Sequence, residues 1–522
     1  MKKLRGTRVL TCLLVLVMVF ATTACAGTNK PGSDSKPGSK DLDFVTLDWY
    51  IGLDPMPDHD MVNDAVNDYL KEKVNANVNL FYWPAADWET RMTTMLSAGQ
   101  DVGIVGFGSQ SKLDYVVQSN RGSFYPMDEL LKEYAAGTLE LFAEEIWESM
   151  KVDGKIYGIP SLKDNCYIMS LIYNADMADA LGLDMSKVQF TDWRQIEPFL
   201  TEVLEKRKEK FPEYNDYPLC ANVAAELPYH FQLETFLDHF YAVANIEPFN
   251  NIAGYDTDTI FNLYETDEYR EYARGRQRMV EKGIFAYDYT GKTEWNYTGG
   301  LFGFAGWGYT YMQENLYGDN FETKMIVSDR IWTETKNYFS AGTAISAKCA
   351  EPERAMMILN MVNTDPDFAT MMRFGIKDEH YIFDKDNKMQ FEGSKRNSGE
   401  RADWGYYYWY AAPIGNLLIV NAPEGLTGPD GIMLTEMERY NNEAVIPTYM
   451  GFVLDVNPIS NEIAATTNVV MEYRDIIRNG QLESQAEVDA TVDEFVAKLK
   501  ANNVDKIVEE VQKQVDEWKK NK

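Results

Sequence analysis

Residues 44–82 present a strand, a helix and a second strand in succession, and that order constrains the fold more than anything else in the chain. Phe44-Val-Thr-Leu-Asp-Trp-Tyr-Ile51 is rich in β-branched and aromatic residues and reads as a buried strand. The polar loop Gly52-Leu-Asp-Pro-Met-Pro-Asp58 follows, and Val62, Val66, Tyr69, Leu70 and Val74 then recur at helical spacing. Val78-Asn-Leu-Phe-Tyr82 returns as a strand. Strands joined through a helix pair in parallel with a right-handed crossover. The pattern repeats with a helix near residues 88–97 and the apolar run Val102-Gly-Ile-Val105.

Further along, a helix near residues 128–134 leads to Lys155-Ile-Tyr-Gly-Ile-Pro160 and then to a strand from Ile168 to Tyr173. There the chain is expected to pass from one α/β lobe to another. Long helices follow at 192–208 and 267–282, the latter with Gly283 placed to cap its carboxyl end. A strand-like run, Tyr338-Phe-Ser-Ala-Gly-Thr-Ala-Ile-Ser346, precedes a helix with Pro352 in its first turn. Tyr381-Ile-Phe and Met389-Gln-Phe flank Asp384-Lys-Asp-Asn-Lys388 as a hairpin. Ser484-Gln-Ala-Glu487 is a capping box, and Val504, Ile507, Val508, Val511, Val515 and Trp518 stripe a final amphipathic helix whose purpose is packing.

The first forty residues speak to location. Lys2, Lys3, Arg5 and Arg8 precede an apolar run from Val9 to Phe20, which is too short to span a bilayer permanently. Thr22-Thr-Ala-Cys25 follows, then a Gly/Ser/Pro/Lys tether to Lys40 that cannot bury a core. The segment resembles a bacterial lipoprotein signal, with Cys25 as the lipidated residue after removal of 1–24. It departs from the usual pattern in having Thr22 where such signals carry Leu.

The rest of the composition mainly excludes. A net charge of −31 argues against nucleic acid, whose phosphates need clustered Lys and Arg. It suits a neutral or cationic ligand. Cys166, Cys220 and Cys349 are too sparse for a disulfide framework and are read as buried thiols. Four histidines and no CxxC leave little for a zinc site, and no cofactor is expected. Nucleophile-elbow, zinc-helix, phosphate-loop and dinucleotide motifs do not occur. Asp58-His-Asp60 is read as an acidic helix start rather than a metal cluster. Asp384–Lys388 is no calcium loop, because Lys388 stands where an oxygen ligand is needed.

Several stretches, in order, carry a resemblance: Pro57-Asp-His-Asp60, Phe124-Tyr-Pro-Met-Asp-Glu-Leu-Leu131, Val152-Asp-Gly-Lys-Ile-Tyr-Gly-Ile-Pro160, Ala344-Ile-Ser-Ala with Asn363-Thr-Asp-Pro366 and Gly375-Ile-Lys-Asp-Glu-His-Tyr381, and Gly451-Phe-Val-Leu-Asp455. The chain resembles the extracellular solute-binding lipoproteins of ABC importers, in a maltodextrin-binding-like branch with extra C-terminal helices. The resemblance implies a two-lobed, periplasmic-binding-protein-like α/β fold. Residues 41–158 and 339–381 would form the first lobe, and 159–338 and 382–522 the second, hinged at Lys155–Pro160 and around Glu334–Gly342. It further implies a monomeric receptor, lipid-anchored at the extracellular face of the cytoplasmic membrane. That receptor would bind a carbohydrate, most simply an oligosaccharide, and deliver it to ABC permease subunits. Binding of a peptide or other organic solute, or a cell-surface carbohydrate-active enzyme, are the alternatives.

Ligands bind open α/β sheets beyond the carboxyl ends of the strands. That selects Trp49, Tyr50 and Asp54 after the first strand, Trp83 and Asp87 after the second, and Phe107, Ser109 and Gln110 after the third. Aromatic faces suit the C–H side of a sugar, and carboxylates or amides suit its hydroxyls. The family places a stacking aromatic after a glycine in the second lobe, which selects Trp307. Trp404 and Tyr408, from Asp403-Trp-Gly-Tyr-Tyr-Tyr-Trp-Tyr410, complete the expected set. Asp101 lies two residues earlier than a matching family aspartate would.

Overall fold

The computed structural model describes residues 42–108, 113–188, 193–223, 231–285, 301–305, 322–408, 414–421 and 434–521. Cys25, Gln110 and Trp307 lie outside the described residues.

Val45–Ile51 runs parallel to Ala76–Tyr82, from Val45 opposite Ala76 to Ile51 opposite Tyr82, and its other edge pairs in parallel with Ile104–Phe107. The His59–Val74 helix joins the first two strands because Val62, Val66 and Leu70 fall on one buried face; it ends at Asn75 in the left-handed conformation. Trp49, Ile51, Trp88 and Met92 are fully buried in this lobe's core.

Gly342–Ile345 enters the same sheet antiparallel to Ile104–Phe107, with Gly342 opposite Phe107. This strand runs against the three parallel ones for a geometric reason. The chain re-enters from the other lobe at the carboxyl edge, so it must run back down. The run expected as one strand from Tyr338 also breaks, into the Thr335–Phe339 helix followed by Gly342–Ile345.

The second lobe centres on Ser170–Asn174, which pairs antiparallel with both Thr323–Val327 and Phe302–Ala305; the latter runs parallel to Cys220–Val223. Thr266 and a left-handed Gly283 at φ 82° cap the two ends of Asp267–Lys282. Against it pack Ser460–Arg478 and Gln485–Ala501, on which Val504–Asn521 packs in turn, with Ser484 accepting from the Glu487 amide and Val504, Ile507, Val511 and Val515 buried. The striped helix is core, as its spacing implied.

Three crossing segments lie side by side between the lobes. Tyr167 and Trp332 exchange backbone hydrogen bonds at 2.6 and 3.2 Å, and Val445 donates to Ile331 at 2.8 Å while accepting from Thr333 at 3.0 Å. The sequence placed the hinge slightly off this site. Lys155–Ile156 instead closes a small hairpin with Lys151–Val152, turning on Asp153 and Gly154 at positive φ. Ile159–Pro160 is an edge strand of the first sheet.

Residues 382–522 do not all join the second lobe, as had been expected. Tyr406, Tyr408 and Ile414 are buried in the first lobe's core, and the Tyr406 hydroxyl is 2.9 Å from that of Tyr82. The third crossing at Val445 is what carries the chain away, and the pattern of a hairpin does not reveal which lobe it will cover.

Candidate functional site in the interlobe cleft

The carboxyl end of Ile104–Phe107 lies beside the chain arriving from a crossing segment, with Gly342 opposite Phe107. A cavity of about 370 Å³ lies there, lined by Gly108, Asp114 and Val116 of the first lobe, Asp238 of the second, and Lys336 and Phe339 of a crossing segment. Gly108 has φ 120°, and a Cβ on it would fall 2.1 Å from the Ser340 carbonyl oxygen. Only glycine allows this approach of loop to hinge.

Charge at the cavity is organised around a buried carboxylate. Glu334, 3% exposed, accepts from the Thr235 amide and hydroxyl at 3.2 Å and from Lys336 Nζ at 2.8 Å. Burial pushes its carboxyl above the usual range, against the opposing pull of Lys336. Lys336 Nζ also donates to Thr235 Oγ1 at 2.7 Å and lies 5.6 Å from the Tyr167 ring centre. Thr235 belongs to a second-lobe hairpin, Leu233–Thr235 with Val243–Asn245, so this cluster ties hinge to lobe.

At the strand ends, Trp83 is half-buried, with Tyr50 edge-on at 5.0 Å, Trp88 at 6.2 Å and the Arg91 guanidinium 5.5 Å over its ring. Arg91 is held in turn by Asp87 at 3.0 Å. Asp54 is exposed on the neighbouring loop. Trp83 and Asp54 thus stand on the loops that follow the first two strands at their carboxyl ends.

Three expected ligand contacts are instead structural. Trp49 is 0% exposed, because strand alternation turns it inward while Tyr50 takes the other face, stacked on Phe81 at 4.7 Å. Trp404 is 2% exposed, stacked on Phe391 at 5.2 Å, with Nε1 donating to the Gly399 carbonyl at 3.3 Å. Tyr408 stacks on Tyr82 at 4.9 Å, donates to the Asp54 carbonyl at 2.6 Å and accepts from the Met56 amide at 3.0 Å. Its hydroxyl holds the loop rather than facing the cleft, and burial raises its pKa far above the ordinary tyrosine range.

Sequence reasoning missed Asp238 and Lys336 as residues lining this cavity. Lys336 lies within the stretch assigned to the hinge, and a polar Thr-Glu-Thr-Lys after Trp332 was the available signal. Among the described residues no group of three His, Cys, Asp or Glu side chains could hold a metal. Asp58 is engaged by Arg396 at 3.0 Å and lies 3.4 Å from His380. Asp384 accepts the amides of Asp386 and Lys388 as a turn. Cys220 and Cys349 are buried free thiols, and Cys166 is half-buried. No described helix is long and apolar enough to cross a membrane.

Two α/β lobes, three crossing segments and a cavity lined from both sides define the fold of the extracellular solute-binding proteins. Residues 448–520 match a family model described as a domain of unknown function, DUF3502. Over 525 residues, 97% of each chain, the protein is 23% identical to a carbohydrate ABC transporter substrate-binding protein of Streptococcus pneumoniae serotype 4 (strain ATCC BAA-334 / TIGR4). The crystal structure of the N-glycan transport solute binding protein NgtS from Streptococcus pneumoniae matches at TM-score 0.71 and 20% identity, over 92% of this chain and 100% of that one. The same protein in complex with Man1GlcNAc matches at TM-score 0.62 and 20% identity, over 91% and 99%.

Proposed function

We propose that this protein is a cell-surface receptor that captures an oligosaccharide between its lobes and delivers it to an ABC permease. The observation that carries the reading is the cavity at the hinge, to which both lobes and a crossing segment contribute. A ligand touching both lobes favours the closed state, and closure is a signal a permease can read. Carbohydrate as the ligand class is supported by the half-buried ring of Trp83 beside exposed Asp54, and by the names of the similar proteins. Gln110 and Trp307 complete the proposed contacts, Trp307 from the second lobe. Cys25 is proposed as the lipid attachment that keeps a monomeric receptor beside its transporter.

Calorimetric titration with Man1GlcNAc, Man5GlcNAc and unrelated oligosaccharides tests the reading. The expected result is saturable binding to at least one sugar with no product formed on prolonged incubation. Turnover of any of them would replace the receptor with an enzyme. Saturable binding of peptides alone would move the ligand class.

A further inference from the structure

The first sheet ends differently on its two sides. One edge is Ile159–Pro160, only two residues long, and Pro160 has no amide to offer a further strand. The other edge is Ala76–Tyr82, seven residues long and paired among the described residues only with Val45–Ile51. A long edge strand is a template on which another chain can pair. Phe81, 36% exposed on this strand, adds an apolar contact for such a partner.

Two side chains occupy the free side of that strand. Asn67 Oδ1 accepts the Val78 amide at 2.7 Å, and Asn63 Oδ1 accepts the Leu80 amide at 2.7 Å. Asn63 Nδ2 also donates to the Val78 carbonyl at 3.0 Å. Val78 and Leu80 are two apart, so their backbone groups point to the same side, the one a further strand would take. The spacings match. Asn63 and Asn67 are four apart on the His59–Val74 helix, a rise of about 6 Å, and residues two apart on a strand advance by about 6.6 Å. The helix runs back against the strand, so Asn67 meets the earlier residue and Asn63 the later one. Asparagine is a poor helix former, and the buried face of this helix is supplied by Val62, Val66 and Leu70. Neither helical propensity nor the core therefore accounts for the two asparagines, both of them half-buried.

We infer that Asn63 and Asn67 close this edge against pairing with a second copy of the chain. Identical edges pair antiparallel about a twofold axis, which would set Ala76–Tyr82 of one copy beside the same strand of the next. Such a pairing needs the outward amides and carbonyls of Val78 and Leu80, and three of these groups are already bonded within the chain. Pairing there would tie the first lobes of two receptors together. The inference rests on neither the reading of the cleft nor that of Cys25.

The test compares the mature chain with its Asn63→Ala/Asn67→Ala and Asn63→Asp/Asn67→Asp variants, by sedimentation equilibrium and amide hydrogen exchange. The wild type is expected to stay monomeric. The alanine pair leaves the edge open and should raise the dimerisation constant at least tenfold, with the Val78 and Leu80 amides protected in the dimer. The aspartate pair still accepts both amides and sets like charges at the two edges, so it should stay monomeric. Asn63→Ala alone removes two of the three hydrogen bonds and carries the same expectation should the double variant not fold. Four results would each overturn the proposal: a wild type that dimerises through this strand, an alanine variant as monomeric as the wild type, a dimer whose Val78 and Leu80 amides exchange freely, or an aspartate pair that associates as the alanine pair does.

Discussion

The Tyr408 hydroxyl donates to the Asp54 carbonyl at 2.6 Å across 354 positions of sequence. The same oxygen accepts the Met56 amide, so one phenol pins the loop that follows the first strand and carries the exposed Asp54. Tyr408→Phe keeps the stack on Tyr82 and removes both hydrogen bonds. Stability is expected to fall by about 1–3 kcal/mol, and oligosaccharide affinity several-fold, as the loop loses its anchor. Denaturant midpoints and calorimetry on the same preparation measure the two effects; unchanged affinity would separate the loop from the site.

Trp83→Ala removes a half-buried ring that Tyr50, Trp88 and Arg91 hold in place. About tenfold weaker oligosaccharide binding is expected, ~1.4 kcal/mol, with an unchanged far-ultraviolet circular dichroism spectrum. Wild-type affinity in this variant would take Trp83 out of the ligand contacts.

Gly342 occupies a position where a Cβ would lie 2.3 Å from the Phe107 ring and 2.4 Å from the Ile159 carbonyl oxygen. Backbone on one side leaves no room for relaxation. Gly342→Ala should therefore destabilise the first lobe by about 1–3 kcal/mol, as overpacking does, seen as a lower thermal midpoint. An unshifted midpoint would contradict the packing described.

His380 is fully buried, and its Nδ1 accepts the Ile376 amide at 3.0 Å, which puts the proton on Nε2 facing Asp58. Burial holds its pKa below the ordinary 6.5, and the nearby Asp58 only partly offsets this. The unfolded chain thus binds a proton the folded chain rejects. This contribution is complete above pH 6.5 and is lost as pH falls from there through the lower folded value. Unfolding free energies measured between pH 5 and pH 7.5 should show a steeper acid loss in the wild type than in His380→Gln. Parallel profiles would remove His380 as the cause.

Cys25→Ser should shift the protein from the membrane fraction to the soluble fraction of cells producing the full chain. A protein that stays with the membrane would be anchored some other way.

Much of the scaffold was legible because local pattern and tertiary role agree. Val62, Val66 and Leu70 must share a helical face, Gly283 must end a helix, and the stripe from Val504 to Val515 must pack inward. The site was legible only in part. Carboxyl-edge reasoning put Trp83 and Asp54 on loops beyond the first two strands, as strand order dictates. It could not sort Trp49 from Tyr50, adjacent residues that strand alternation sends to opposite faces.

What the sequence determined by itself was the set of elements and their alternation, since hydrophobic period and capping are local properties. Only the tertiary structure decided that Gly342–Ile345 runs antiparallel, that residues 382–408 cover the first lobe, and that Tyr408 is a clamp rather than a contact. Each depends on where distant segments meet. Three crossing strands held together by backbone hydrogen bonds at Tyr167, Trp332 and Val445 set that geometry, and backbone pairing of this kind leaves no mark on the side chains of the residues that make it.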